Sequence, residues 1–386
     1  MKGRYEQQKP RQKTAVWKKI LVAVLVVLIV LVVGLIAGVI YYNSMLNKMN
    51  KVDMNRVDYG ALATATQATE EEPETRPLET TEATEAPTTE PPHVASREDY
   101  INFLIVGQSG REGDPKEGAR FADSSLLVTV NTYEKTLTLT SLLRDSFVRP
   151  PEYKGHHFGR IKLATVYHMG YTYSGNTIAG SMELMNMTLF TNFGIEVDHN
   201  FEVSFDSFVE ILDMLGGVEI ELTQPEADYL NNFLKDCDWK TYHYEAGMSH
   251  LDGWSGLAYA RMRHAEGDAD SDIKRTSRQQ KMVTALLDKL KGMSLSDLQN
   301  LANTILPLIS TNMSNSEITS TLMTMLPMLK DLKIVNSGTC PAEPYYWGEM
   351  VDIYKDGFYH SVLKFDEGKT KAHMREITLG EVPASK

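Results

Sequence analysis

Five basic side chains crowd one short stretch of this 386-residue chain. In AYARMRHAEGDADSDIKRTSRQQ, Ala258–Gln280, stand Arg261, Arg263, Lys274, Arg275 and Arg278, although the chain as a whole carries a formal net charge of -12. Guanidinium keeps its charge, and its planar fork meets phosphate oxygens two at a time. The chemistry open to this stretch is therefore the holding of a phosphate or pyrophosphate. Asp268, Asp270 and Asp272 offer the plainer alternative, a solvated face laced with ion pairs. A second fragment favours the anion: TLTLTSLLRDSFVRPP closes a strand on Arg144–Asp145, and ligands of open α/β sheets sit where strands end.

Two elements must deliver these side chains. Arg261 and Arg263 are two apart in GLAYARMR, a strand-like segment, and a period of two puts both on one face. Arg275, Arg278 and Gln279 fall at i, i+3 and i+4 of the next helix, again on one face, with Asp272 as its N-cap. Upstream, YINFLIVG has the form of a buried strand, and SSLLVTVN and TLTLTSLLRD form a hairpin through TYEK. NTIAGSMELMNMTLFTNFG is an amphipathic helix ending at Gly194. HNFEVSFDSFVEILDMLGGVEIEL reads as strand, helix, a Gly216–Gly217 stop and strand. Two further helices follow, the second opening on a Ser314/Glu317 capping box, and DLKIVNSG and FYHSVLKF close the chain as strands. This alternation predicts an α/β fold with a central mixed sheet and helices on both faces.

The first hundred residues read differently. No charge interrupts ILVAVLVVLIVLVVGLIAGVI, Ile20–Ile40, which at 1.5 Å per residue crosses a hydrocarbon core of about 30 Å. Lys2, Arg4, Lys9, Arg11, Lys13, Lys18 and Lys19 precede it and hold that end in the cytoplasm. The expected organisation is a basic cytoplasmic tail over 1–19 and a single-pass anchor over 20–42. A Thr/Glu/Pro-rich extracellular linker follows over 43–96, too poor in apolar residues to fold, and then one ectodomain over 97–386. The chain has two cysteines, Cys237 and Cys340; an even count in an exported domain predicts one disulfide.

Across about Asp99 to Lys291, and more loosely to the C-terminus, the chain resembles the LytR–CpsA–Psr family of cell-wall glycopolymer ligases. SLLRDSFV, GIEVDHNFEVSFDSFVEILDMLGGVEIEL, HLDGWSGLAYARMRH and DIKRTSRQQ carry the resemblance, in the family's order. It implies an α/β/α sandwich enclosing a pocket for a polyprenyl chain, on the outer face of a Gram-positive type membrane. It also implies a phosphotransferase whose donor is a polyprenyl-pyrophosphate-linked glycopolymer, such as teichoic acid or capsular polysaccharide, and whose acceptor is peptidoglycan. By the same resemblance Arg144, Arg261, Arg263, Arg275 and Gln279 match pyrophosphate contacts. Arg111 is kept in the turn after the first strand, and Arg278 joins the set through its place on the helix face. Asp123, in ADSSLLVTV, matches an aspartate that coordinates Mg²⁺. The catalytic set is then Arg144, Asp145, Arg261, Arg263 and Asp272, with Asp145 and Asp272 the two candidates for general base.

Ser109 stands where the family has an aspartate, and Phe121 rather than arginine lies two before Asp123. These departures support a second reading, a non-catalytic or regulatory member that binds lipid-linked glycan. A third, an exported hydrolase, is weaker: GQSGR and GWSGL both lack the final glycine of a nucleophile elbow. No Walker A or dinucleotide glycine pattern is present, and the acidic ectodomain argues against nucleic acid.

Overall fold

The computed structural model describes residues 41–67, 96–108, 120–236, 243–263, 265, 271–328 and 331–380. At its centre is a mixed seven-stranded sheet: β1 Asn50–Lys51, β2 Tyr100–Gln108, β3 Ala122–Asn131, β4 Thr136–Leu142, β5 His199–Ser204, β6 Ile309–Thr311 and β7 Lys333–Cys340. Their order across the sheet is β1-β6-β5-β2-β3-β4-β7. The pairs β1/β6, β2/β5 and β4/β7 are parallel and the rest antiparallel. The C-terminal ends of β2, β4 and β5 and the start of β3 thus come to one edge.

Strand alternation divides the apolar residues between two faces. Leu104, Val106 and Leu127 pack with Tyr167 of α1 (Leu163–Tyr173), with Leu184, Met185 and Leu189 of α2 (Ile178–Phe193), and with Met374 of the last helix, Glu367–Leu379. Phe103, Leu126, Val128, Leu137 and Leu139 take the other face, against Val283, Met313 and Ile318. Helix α2 stops at Gly194, whose φ of 70° is left-handed, a conformation glycine takes without steric cost.

A third cluster lies beyond that second face. Helix α3 (Phe205–Met214), α4 (Gly253–Arg261) and α5 (Ser271–Lys291) enclose it with the hairpin Val218–Leu222/Gly247–Leu251. VEIEL buries Val218, Ile220 and Leu222 and exposes Glu219 and Glu221. One-sided burial of this kind suits a small peripheral hairpin, whereas a central strand is covered on both faces.

The folded unit begins at Met49 rather than at 97. Asn50 and Lys51 pair with Ser310 and Thr311, and helix Tyr59–Gln67 docks Tyr59 onto Phe190, with ring centroids 5.0 Å apart. Two paired residues and one short helix are too brief to register as periodicity beside the polar run that follows. That run, over 68–95, lies outside the described residues, as does the expected anchor except for its last two positions. Among the described residues no helix is long and apolar enough to cross a membrane.

The expected disulfide also needs correction. Cys340 is a free, fully buried thiol in the cluster with Leu184 and Met374; Cys237 lies outside the described residues. An apolar interior holds a reduced cysteine as it holds any small hydrophobe, so an even count did not imply a pair.

Candidate functional site

Where β2, β4 and β5 end, a cavity of about 780 Å³ opens between the sheet, α3, α4 and α5. Helix α5 supplies one wall. Arg275, Gln279, Met282, Val283, Leu286 and Leu290 all face the lumen, the stripe expected of one helix side. At 1.5 Å per residue this wall runs about 22 Å. It is polar at Arg275 and Gln279 and apolar from Met282 onward. Phe205 and Phe208 of α3, Leu257 of α4 and Ile105 and Leu126 of the sheet complete the apolar part.

The polar part gathers Asp123, Ser124, Arg144, Arg261, Arg263, Arg275 and Gln279. A bulge delivers the first of these. Gly107 pairs with Ser124 and Gln108 with Ala122, so Asp123 is the extra residue, and adjacent Asp123 and Ser124 both reach the cavity. Asp123 forms an ion pair with Arg144, which stands just past β4. Arg144 Nε also lies 3.7 Å from Asp145 Oδ2.

Arg261 and Arg263 do converge on the cavity, but not as a strand. GLAYAR is the body of α4, N-capped by Asp252, whose Oδ1 accepts from Ser255 N at 3.0 Å. Close approach to α3 requires its glycines: a Cβ at Gly253 would lie 2.5 Å from Val209 O, and one at Gly256 2.2 Å from Leu212 Cδ2. Arg261 ends the helix, and Met262 leaves it with φ -55° and ψ 131°. A helix end followed by extended chain therefore replaces the period of two. Arg261 lies over the Phe205 ring, 4.6 Å from its centroid, a cation–π contact that steers the guanidinium across the cavity mouth. Gln279 ties the parts together: its Oε1 accepts from Ser124 Oγ at 3.0 Å and its Nε2 donates to Ala260 O at 3.2 Å.

Arg278 is not part of this group. Its Nε donates to Glu226 Oε1 at 2.7 Å and its Nη1 to Met262 O at 3.3 Å, both in the buried cluster beyond α5. Glu226 in turn accepts from Thr223 N at 3.0 Å, at the start of helix Gln224–Asp236. Helix α5 is packed on more than one side, so i and i+3 separate once both are buried. Asp272 is the second residue of α5 rather than its cap, and its side chain lies outside the described atoms. So do Ser109 and Arg111, and Asp268 and Asp270. Asp145 does not line the cavity; Lys162 Nζ lies 2.9 Å from its Oδ1, which commits that carboxylate to ion pairs.

Two groups had not been singled out. Buried Glu202 accepts from Arg120 Nη1 at 2.7 Å and from the fully buried Tyr167 hydroxyl at 2.6 Å. Burial first, and the neighbouring carboxylate second, push the Tyr167 phenol well above its ordinary value, so it remains a donor. Glu202 precedes Val203 and Ser204, which line the cavity. A glutamate buried on a covered strand must find a partner.

Among the described residues no group of three or more histidines, cysteines or carboxylates gathers to hold a metal. Among the described residues Asp123 is the carboxylate that lines the cavity. A single carboxylate fits Mg²⁺ when phosphate oxygens and water supply the rest of its octahedral shell.

The sequence profile of the LytR_cpsA_psr family matches residues 59–371. The polyisoprenyl-teichoic acid–peptidoglycan teichoic acid transferase TagT of Bacillus subtilis is 31% identical over 198 residues, 51% of this chain and 54% of that protein. The chain thus spans about half the length of that relative. The regulatory protein MsrR of Staphylococcus aureus is 25% identical over 72% of this chain and 74% of its own. The solved structure of TagT bound to LIIa-WTA superposes with a TM-score of 0.53 at 25% identity, covering 74% of this chain and 92% of that one.

Proposed function

The chain belongs to the LytR–CpsA–Psr family, and on that premise we propose that it is a phosphotransferase. Its donor is a glycopolymer, teichoic acid or another wall polysaccharide, carried on polyprenyl pyrophosphate; its acceptor is a hydroxyl of peptidoglycan. The observation that carries this reading is the cavity itself, in which Arg144, Arg261, Arg263 and Arg275 open onto an apolar lumen along α5. Such a shape fits an anionic head on an apolar chain, and 780 Å³ is large among ordinary ligand pockets of about 300–1,000 Å³. The relatives' names support the same chemistry.

In the proposed reaction the acceptor oxygen attacks the phosphorus nearer the polymer. The bond from that phosphorus to the bridging oxygen breaks, and polyprenyl phosphate leaves with the electron pair and takes up the proton that the acceptor hydroxyl gives up. Phosphoryl transfer depends mainly on positioning and on neutralising spread negative charge. The four guanidiniums supply both, Gln279 fixes the spacing between β3 and the end of α4, and the lumen seats the chain and excludes water. Asp123 would hold Mg²⁺ together with phosphate oxygens, and the ion would add positive charge there.

The α/β/α arrangement, the anchor over 20–42, the extracellular placement on a Gram-positive type membrane and the linker belong to this reading. An anchored site stays close to a lipid-borne donor. A second reading, binding without transfer, is favoured by the ion pair that occupies Asp123 and by the likeness to a regulatory relative. The two are separated by incubating the full-length protein in detergent with radiolabelled lipid-linked teichoic acid and peptidoglycan. Transfer of label with release of polyprenyl phosphate is expected, and Arg144→Ala and Arg275→Ala should each lower it about 100-fold or more. Donor binding with no transfer would establish the second reading.

A further inference from the structure

The antiparallel hairpin Tyr346–Val351/His360–Phe365 stands beside the strand end that delivers Arg144. Leu363 N donates to Asp145 O at 2.9 Å, and Ser146 bridges to Leu363. The next rung pairs Trp347 with Lys364, so Trp347 lies on the order of 10 Å along the backbone from Arg144. Trp347 and Glu349, two apart, share a face, and Lys364 opposite Trp347 shares it too. Lys364 pairs with the Glu349 carboxylate, so the indole lies beside an ion pair on one face.

Among the described residues this face stays open, with Trp347 50% exposed; at the hairpin tip Phe358 is 72% exposed. The tip is ordered by its own side chains. Asp352 accepts from Asp356 N and Gly357 N at 3.1 and 2.9 Å, and Asp356 Oδ1 from Phe358 N at 3.0 Å. Exposed aromatics held on a built turn mark an interaction surface.

We propose that the Trp347–Glu349–Lys364 face binds the sugar rings of the acceptor, a chain of neutral N-acetylated hexosamines, beside the arginine cluster. This rests on the transferase reading above. An indole face takes the C–H side of a pyranose ring, while the carboxylate and ammonium take hydroxyls and acetamido groups. Charge selects among partners. Tyr346–Phe365 carries Glu349, Asp352 and Asp356 against Lys355 and Lys364, a near-even balance that gives an anionic bilayer or a polyphosphate chain no net attraction and is indifferent to a neutral glycan.

The test uses full-length protein in proteoliposomes, with chitotetraose as the glycan probe and geranylgeranyl pyrophosphate as the head-group probe. Wild type should bind chitotetraose with a change in Trp347 fluorescence. Trp347→Ala should lose about fivefold or more in affinity, and Trp347→Phe should retain most of it. All these proteins should bind the pyrophosphate alike. Arg261→Ala should lose pyrophosphate and keep chitotetraose, so that failure of the transferase reading appears separately from failure of this one. No chitotetraose binding by wild type, equal affinity in Trp347→Ala, or loss of both probes in Trp347→Phe would each overturn the proposal. So would quenching of Trp347 by brominated lipid in the vesicles, which would place the hairpin in the bilayer.

Discussion

The Arg278 guanidinium meets Glu226 at 2.7 Å, with the two side chains only 4% and 5% exposed, while Arg275 on the same helix opens onto the cavity. One arginine supports the fold and the other lines the cavity. Removing one partner of a buried pair strands the other charge, at about 3–5 kcal/mol. Arg278→Ala should therefore lose about that much stability in urea titration. Replacing both partners, as Arg278→Met with Glu226→Leu, should recover most of it, because matched apolar packing needs no counter-charge. Pyrophosphate affinity of the folded double variant should equal wild type.

Arg261 presents the opposite case. It is exposed, and its contact with Phe205 is worth about 0.5–1 kcal/mol. Arg261→Ala should leave the melting temperature within a few degrees of wild type and lower pyrophosphate affinity at least about tenfold. Arg261→Lys should rescue poorly, since a point charge cannot reproduce the fork. Calorimetry together with thermal melting reads both outcomes.

Asp123 pairs with Arg144 at the head of the cavity. Under the proposed chemistry Mg²⁺ and pyrophosphate take the two partners separately, so each should strengthen the other's binding. Asp123→Asn should abolish that coupling. Pyrophosphate binding without Mg²⁺ should be equal or tighter, because Arg144 is released. Titrating pyrophosphate with and without Mg²⁺ into both proteins measures the effect; coupling that persists in the variant would assign the ion to another carboxylate.

Leu286 lines the apolar stretch of α5. Leu286→Trp should fill the lumen and lower affinity for a long-chain polyprenyl pyrophosphate about tenfold or more, while inorganic pyrophosphate still binds. Equal loss of both ligands would show that the two parts of the cavity are not used by one molecule.

Burial pushes the Cys340 thiol well above its ordinary value. The folded state therefore holds it neutral. Its contribution to stability is complete below the unfolded thiol value near 8.5 and is lost as pH rises beyond it. Native protein at pH 8 should not be alkylated at Cys340, and denatured protein should be. Melting temperature should fall between pH 8 and 10, with a shallower fall in Cys340→Ala.

Periodicity alone located β2, the β3–β4 hairpin, α2 and the strand–helix–glycine stop around α3, since each element is long enough for its apolar pattern to show which face is buried. Spacing put Arg275, Arg278 and Gln279 on one helix face, and the family resemblance, rather than periodicity, joined Arg144, Arg261, Arg263, Arg275 and Gln279 into one set. Other features depended on contacts between residues far apart in the chain. GLAYAR alternates well enough for a strand, but its glycines let it lie as a helix against Val209 and Leu212. Arg275 and Arg278 are equivalent by spacing, and only Glu226, 52 residues away from Arg278, separates a cavity residue from a buried ion pair. The bulge that frees Asp123 is invisible along one strand because it is a mismatch of register between two. Local sequence determines which faces are apolar and which side chains carry charge. The partner each charge meets is decided by packing at long range, where the cost of leaving a buried charge unmatched outweighs any local preference.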